Sequence, residues 1–235
     1  MITIVTTVSN DLENLKKTIS SLKKQNYKEW QHIIVDNNSD DISHNWAYLR
    51  DKRVIYIKEK CSLYQGMNIG INHVRSNYFM IINAGTVFTK TTMLLDILAH
   101  ITKNKNKTLY ITNCKTDDNI FYETKKINKL FFPASLNHEA MIYKSVPTIR
   151  HQEYYGMAAD VNFIFEYLKI GNISKADDIC SIIYDRGGTS DRYPFIRKSI
   201  DHIKISKTLL LCGWLIPSGW YLIRAIKDLY RHFCK

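Results

Sequence analysis

The stretch that most restricts the fold of this chain is residues 62–86, SLYQGMNIGINHVRSNYFMIINAGT. Apolar residues recur at helical spacing from Tyr64 to Val74, which predicts a helix with one apolar face. Residues 78–82 are then all apolar, and such a short run is typical of a strand buried on both faces of an α/β sheet. Open α/β sheets bind ligands at the carboxyl ends of their strands, so the polar turn at residues 83–86 is the first candidate site.

The N-terminal residues predict a strand, a helix and a second strand. Residues 2–8 are rich in β-branched side chains, and residues 31–35 predict a second strand that ends at Asp36. Between them, Asn10 and Glu13 have the spacing of a helix capping box. A carboxylate at the tip of the second strand is typical of a nucleotide-binding half-sheet, since it accepts hydrogen bonds from a ribose or base. The alternative is that Asp36 only caps the turn that follows.

These segments resemble the family 2 glycosyltransferases of the GT-A fold, in particular the branch that adds sugars to bacterial surface polysaccharides. In that family the helix reads like YDAMNKGI and the turn like LNSGD, whereas residues 64–71 and 82–86 here read YQGMNIGI and INAGT. The resemblance implies an α/β fold, a GT-A (Rossmann-like) mixed central sheet flanked by helices, and a nucleotide-sugar donor, with UDP as the expected nucleotide. The residues that it implies for the donor are Thr6, Thr7, Asp36, Tyr64, Gly66, Asn68, Asn83, Ala84, Gly85 and Thr86.

The closing residue of the turn departs from the family pattern. In the family an aspartate of the so-called DxD motif holds a divalent metal, Mg²⁺ or Mn²⁺, on the donor diphosphate. Thr86 stands in that place, and a neutral hydroxyl is a poor ligand for a hard cation. Metal dependence is therefore open. Arg186 and Arg192 flank two glycines in a later turn, and they offer a positive charge to the diphosphate without a metal.

Two later segments resemble the sugar and acceptor side of the same family. Residues 135–144, SLNHEAMIYK, resemble CHQAxFYxR, which implies that His138 and Glu139 lie on that side. Residues 159–168, ADVNFIFEYL, resemble the helix ADYDLFLRL, which implies that Asp160 is the general base that takes the proton of the attacking acceptor hydroxyl. From residue type alone, a histidine such as His138 more often has a structural role. For Asp160 the alternative is a favourable charge at a helix N-terminus.

The positive charge of the chain is concentrated at its C-terminal end. The formal net charge is +11, and residues 197–235 carry eight Lys or Arg and two Asp, a net of +6. Residues 208–223 carry no charge but are shorter than the roughly 20 apolar residues that span a bilayer. Glycine and proline at 213–219 predict two short helices. Flanking cations and tryptophans favour an anionic membrane surface, while a hairpin packed on the domain and a dimer interface are alternatives.

Composition excludes several other classes of protein. The hydrophobic and charged fractions, 45% and 23%, are those of a globular protein. Five dispersed cysteines without a CxxC pair argue for reduced thiols in a cytosolic setting. We find no nucleic-acid-binding motif, and the opening MITIVTTV does not resemble a signal peptide. We expect a GT-A domain at 1–195 and a basic amphipathic membrane-associating segment at 196–235, peripheral on the cytoplasmic face of the inner membrane.

The expected function is transfer of a sugar to a hydroxyl of a lipid-linked or polysaccharide acceptor, with inversion, in lipopolysaccharide or capsule synthesis. This requires Asp36 and Asp160 to lie on two sides of one cleft. One alternative is a non-catalytic homologue that binds nucleotide or glycan as a scaffold, since Gln65, Thr86 and Asn162 replace family acids. Another is a membrane-surface binding module whose α/β domain does unrelated work. A homodimer also stays open.

Overall fold

The computed structural model describes residues 1–41, 47–123, 137–184 and 194–233. Its first half contains β1 (Ile2–Val8), α1 (Leu12–Lys23), β2 (Trp30–Asp36), β3 (Val54–Lys58), α2 (Leu63–Asn72), β4 (Tyr78–Ile81), β5 (Val87–Phe88) and α3 (Met93–Lys103). Its second half contains β6 (Leu109–Thr116), β7 (Phe121–Tyr122), β8 (Met141–Lys144), α4 (Ala159–Ile170), β9 (Ile173–Tyr184), α5 (Phe195–Leu211) and α6 (Leu215–Phe233). Short 3₁₀ turns cover Ala47–Arg50, His138–Ala140 and Glu153–Ala158.

The strands form one mixed sheet in the order β3-β2-β1-β4-β8-β6-β9-β5, with β7 paired to β6. The first four strands are parallel, and β8 runs antiparallel to both β4 and β6. The start of β8 therefore lies at the same sheet edge as the carboxyl ends of β1, β2 and β4. This brings the 3₁₀ turn before β8 to the edge where ligands bind in α/β sheets. The predicted mixed α/β sheet with flanking helices is confirmed.

The start of α1 differs from the prediction. The N-cap is Asp11, whose side chain accepts a hydrogen bond from the Asn14 backbone N–H at 3.3 Å. Asn10 instead adopts a positive φ of 46°, and its side-chain oxygen accepts from the Asp40 backbone N–H at 3.0 Å. The capping box predicted on Asn10 and Glu13 is therefore wrong, because the aspartate one residue later takes the cap.

Helix α2 packs directly on the central strands because it carries two glycines one turn apart. A Cβ atom at Gly70 would lie 2.3 Å from Val5 Cγ1, and one at Gly66 would lie 3.3 Å from Thr7 Cγ2. The helix begins with a capping box in which Ser62 and Gln65 each accept a backbone hydrogen bond from the other. The predicted helix is confirmed, and its glycines are explained by close packing.

The C-terminal helices share the main hydrophobic core with the sheet. Ile205, Leu209, Trp214 and Tyr221 are buried in the same cluster as residues of β1, α2 and α4. The chain turns between α5 and α6 at Gly213, which has a φ of +78°. Two helices were predicted, but they are longer than expected, since α6 runs through residues 217–219. In the described ranges, no helix is long and apolar enough to cross a membrane.

Candidate functional site

The turn at residues 83–86 lies where β4 ends and is fixed by neighbouring elements. Gly85 has a φ of +102°, a region that favours glycine, and its N–H donates to the Asn14 carbonyl of α1 at 3.1 Å. The Thr7 hydroxyl of β1 donates to the Asn83 side-chain oxygen at 3.1 Å. The candidate donor turn is therefore a rigid part of the carboxyl edge.

Glu139 brings a carboxylate to this turn from the segment before β8. Its Oε2 accepts from the Asn83 backbone N–H at 2.8 Å and from the Thr86 hydroxyl at 2.6 Å. The sequence predicted Glu139 on the sugar and acceptor side, and in the structure its carboxylate contacts the donor turn. The turn thus has a buried acidic neighbour even though its own closing residue is Thr86.

The described groups around the turn do not fit a divalent metal. The Thr86 hydroxyl donates to Glu139, so its proton points at the carboxylate that contacts the turn. Hard divalent cations take about six or more oxygen ligands, usually including several carboxylates or waters. Among the residues that the structure describes, no group of three His, Cys, Asp or Glu side chains is placed to hold a metal. Arg186 and Arg192 lie outside the described residues.

Asp160, in the first turn of α4, lies beside the residue that precedes Glu139. Its Oδ2 is 3.6 Å from His138 Nδ1, and the two side chains are 21% and 15% exposed. Since Glu139 contacts Asn83, a continuous set of contacts runs from Asp160 to the donor turn. Folding therefore brings together three segments that were predicted as site residues from separate parts of the sequence.

The surroundings of His138 favour its protonated form. Burial has the largest effect and lowers the pKa of His138. The close approach of the Asp160 carboxylate and the negative charges of Asp160 and Glu139 together outweigh burial, so the pKa is raised above its usual value of 6.5. The geometry therefore favours an imidazolium at His138, next to Asp160, at mildly acidic pH.

Several buried polar atoms on this side of the site have no hydrogen-bond partner within the described parts of the chain. They are His138 Nε2, both ring nitrogens of His151, the side-chain amide of Asn162 and the Tyr221 hydroxyl. Burial raises the pKa of Tyr221, and the charge of Asp160 raises it further. Burial lowers the pKa of His151, and the charge of His138 adds to this effect. Leaving a buried polar group unpaired costs about 1–3 kcal/mol, so folding alone does not favour this arrangement.

Asp36 lies at the same sheet edge, but protein donors already occupy its carboxylate. It is fully buried, and it accepts from the Ser39 backbone N–H at 2.9 Å and from the hydroxyls of Ser39 and Tyr56. The carboxylate therefore orders the turn that follows β2. A bond to a nucleotide would have to compete with these donors, and a nucleotide contact of Asp36 stays a prediction.

The remaining predicted donor residues make contacts inside the protein. The Thr6 hydroxyl bonds to His32 Nε2 at 2.9 Å, on the opposite face of β1 from Thr7. The Tyr64 ring stacks on His151 with 5.3 Å between centroids. Asn68 exchanges two hydrogen bonds of 2.8 Å with the His151 backbone. Tyr64 and Asn68 therefore hold the segment that leads to α4, and Thr6 lies apart from the site.

Sequence reasoning missed His151, Tyr221 and Asp201. His151 lies between the segments that resemble the family. Asp201 and Tyr221 lie in the C-terminal tail, residues 196–235, which was interpreted as a membrane-associating segment. Gly156, four residues before Asp160, was a possible signal because it has a φ of +51° that favours glycine. A glycine in a loop is too common to be read in this way without coordinates.

The comparisons with known proteins agree with this geometry. The sequence model described as glycosyl transferase family 2 matches residues 3–165, more than half of the chain. That range includes β1, the donor turn, His138, Glu139 and the first turns of α4. A search of curated protein sequences finds no match.

Solved structures with a similar fold include two of S. aureus TarS 1-349. One has a TM-score of 0.71 at 13% identity and covers 98% of this chain and 72% of that one. The other, in complex with UDP-GlcNAc, has a TM-score of 0.70 at 14% identity, with coverages of 99% and 72%. The mannosyltransferase PcManGT from Pyrobaculum calidifontis, in complex with GDP-Man and Mn²⁺, has a TM-score of 0.64 at 12% identity, with coverages of 99% and 75%. The fold is that of GT-A glycosyltransferases, and because the family model spans both sides of the site, this chain belongs to glycosyl transferase family 2.

Proposed function

We propose that this protein transfers a sugar from a nucleotide-sugar donor, with UDP as the nucleotide, to a hydroxyl of a lipid-linked or polysaccharide acceptor. The observation that carries the proposal is the continuous set of contacts from Asp160 through His138 and Glu139 to the turn at 83–86. A glycosyl transfer needs a base for the acceptor close to the place where the donor is held. The solved complexes of similar structures with UDP-GlcNAc and GDP-Man support a nucleotide-sugar donor.

In the proposed reaction Asp160 takes the proton of the acceptor hydroxyl. The acceptor oxygen forms a bond to the anomeric carbon while the bond from that carbon to the diphosphate oxygen breaks on the opposite face, which inverts the configuration. The departing nucleoside diphosphate takes the electron pair. Arg186 and Arg192 are our candidates for stabilising its negative charge, since one guanidinium group can donate two hydrogen bonds to the oxygens of a phosphate.

We further propose that α5 and α6 bind an anionic lipid surface. Each helix carries an apolar stripe that is exposed, on the side away from its buried one. On α5 the stripe is Ile196, Ile200, Ile203 and Leu210, which are 40–50% exposed. On α6 it is Ile216, Trp220, Ile223, Ile226 and Tyr230, which are 48–68% exposed.

Basic residues lie among these apolar stripes, and their positive charge indicates which kind of partner the surface binds. Lys207, Arg224, Lys227 and Arg231 are all exposed. An apolar surface with a basic rim fits anionic headgroups, which attract cations while the acyl region accepts the apolar side chains. We propose a peripheral protein on the cytoplasmic face of the inner membrane, acting in lipopolysaccharide or capsule synthesis.

The test of the proposed function is a transfer assay with the full chain. A panel of UDP-sugars is incubated with lipid-linked and polysaccharide acceptors in vesicles, and UDP release and glycosylated product are both measured. We expect product formation that depends on acceptor, with an anomeric configuration opposite to that of the donor by NMR. If UDP raises the melting temperature but no donor is turned over with any acceptor, the scaffold alternative replaces the transferase.

A further inference from the structure

The 3₁₀ turn Glu153–Ala158, which leads directly into α4, is held by a residue of the C-terminal helices. Asp201 of α5 is 4% exposed, and its Oδ2 accepts from the Met157 backbone N–H at 2.9 Å. A Cβ atom at Gly156 would lie 2.1 Å from the same oxygen. The carboxylate therefore lies directly on the backbone three residues before Asp160.

Other residues of α5 contact the same turn. Lys204 Nζ donates to the Tyr154 carbonyl at 2.7 Å and also approaches Asp201 Oδ1 at 3.4 Å. The Tyr155 and Thr208 hydroxyl oxygens are 3.0 Å apart. One face of α5 therefore holds successive residues of the turn through both backbone and side-chain groups.

The opposite side of the turn is held by the N-terminal end of α2. Glu153 accepts hydrogen bonds from the Gln65 side-chain amide at 2.9 Å and from the Ser62 hydroxyl. The Tyr64 hydroxyl lies 3.5 Å from the Met157 carbonyl oxygen. The turn is thus fixed between a helix of the donor side and a helix of the tail, and α4 begins where these contacts end.

We propose that Asp201 is a positioning residue for Asp160. By holding the backbone at residues 156–157, it determines where α4 begins and therefore where the Asp160 carboxylate meets the acceptor hydroxyl. The inference rests on the proposed role of Asp160 as the base. Since a displacement of about 1 Å at a reacting group can cost about 100-fold in rate, the C-terminal helices are part of the acceptor side of the site.

Three variants of the full chain test this. Asp201→Ala removes the acceptor for the Met157 N–H, and we expect kcat to fall about 10- to 100-fold with the donor KM within about twofold of wild type. Asp201→Asn keeps an oxygen for that bond and should retain most of kcat. The matched control is Asp228→Ala, because Asp228 is also buried in the tail and pairs with His202 at 3.1 Å. It should lower the melting temperature and leave kcat within about threefold.

Equal losses of kcat in Asp201→Ala and Asp228→Ala would overturn the proposal, since any loosening of the tail would then suffice. Wild-type kcat in Asp201→Ala would overturn it as well. A wild-type chain that transfers no sugar refutes the proposed function instead. In that case amide hydrogen exchange decides the positioning alone: Asp201→Ala should lose protection at residues 157–160 while Asp228→Ala keeps it, and equal protection in both contradicts the inference.

Discussion

The two sides of the candidate cleft differ in how their polar groups are satisfied. On the donor side, the side chains of Asp36, Asn68 and Asn83 all bond to protein partners. On the acceptor side, buried atoms of residues such as His151 and Tyr221 have no partner in the part of the chain that the structure describes. Folding favours the first arrangement and opposes the second. We conclude that the donor side is a rigid frame, whereas the described part of the acceptor side leaves buried polar groups unpaired.

The comparison also changes how the family-like helix motif is interpreted. Tyr64, Gly66 and Asn68 were expected to bind the donor. Gly66 packs on Thr7, while Tyr64 and Asn68 hold the segment at His151. In this chain the motif joins the donor strands to the acceptor side, and a donor contact by these residues stays a prediction.

The largest effect is expected from deleting the C-terminal helices after residue 194. The deletion removes Ile205, Leu209, Trp214 and Tyr221 from the core. Burial of each such side chain contributes about 1.5–3 kcal/mol, and the total approaches the 5–15 kcal/mol stability of a typical domain. We expect a chain without a cooperative thermal transition by circular dichroism.

The matched control for this deletion keeps the full chain and changes only exposed apolar residues. The triple variant Ile216→Ser, Trp220→Ser and Ile223→Ser should fold like wild type but lose binding to vesicles that contain anionic lipid. A deleted chain that melts at the wild-type temperature would show that the acceptor side does not need the tail.

The donor frame is tested by adding one methyl group. Gly70→Ala places a Cβ 2.3 Å from Val5 Cγ1, and we expect a loss of about 3 kcal/mol in the free energy of unfolding in urea. Gly219→Ala is the control, because nothing lies within 4 Å of its Cβ position. It should be neutral or stabilising by up to about 1 kcal/mol. Equal stability of the two variants would contradict a tightly packed frame.

The donor frame should also weaken in acid because of His32. Burial lowers the pKa of His32 to about 3, so the unfolded chain takes up a proton at a higher pH than the folded chain. The folded state therefore loses stability as the pH falls below about 6.5 towards 3, by up to about 1.4 kcal/mol per pH unit. Urea denaturation across this range should show a shallower slope in His32→Gln, and parallel slopes would contradict this account.

A smaller effect is expected from His138, on the acceptor side. Its pKa is raised, so the imidazolium is present at low pH and is lost as the pH rises through that value. Loss of the imidazolium removes a positive charge that opposes the transfer of a proton to Asp160, and kcat should rise a few-fold over this step. Among the described residues, the Glu139 carboxylate also faces His138 and Asp160. Tyr143 and Tyr221 lie near them but stay neutral, because burial raises their pKa values.

The pH profile of His138→Gln checks this prediction. The variant should lack the His138 step and show a flatter rise of kcat above about pH 6.5. A profile that keeps the same step would assign the titration to another group. The interaction of His138 with Asp160 also stabilises the folded state. This stabilisation is present below about pH 6.5 and is lost as the pH rises through the raised pKa of His138.

Parts of the fold were predictable because their periodicity is local. The apolar run of β4 and the apolar stripe of α2 were read correctly, while the cap of α1 was not, because Asp11 competes with Asn10 for it. The tail was predicted to break at residues 213–219. It breaks at Gly213 alone, because a proline is tolerated in the first turn of α6.

The candidate site was predictable only in its components. Asp160 and His138 were each expected on the acceptor side, but no spacing indicates that they touch, since they belong to a helix and a loop that only the sheet brings together. The contact of Glu139 with Thr86 and that of Asp201 with Met157 are likewise between distant segments. Sequence patterns report local structure and do not report such tertiary contacts.

The most direct test of the central claim is the kinetics of Asp160→Asn in the full chain. The amide keeps the shape of the side chain but takes no proton, so we predict a loss of about 10² to 10⁴ in kcat with unchanged stabilisation by UDP. Asp177→Asn, an exposed aspartate on β9, is the control and should keep wild-type kcat. Wild-type kcat in Asp160→Asn, with UDP still bound, would contradict the assignment of Asp160 as the base and with it the acceptor side described above.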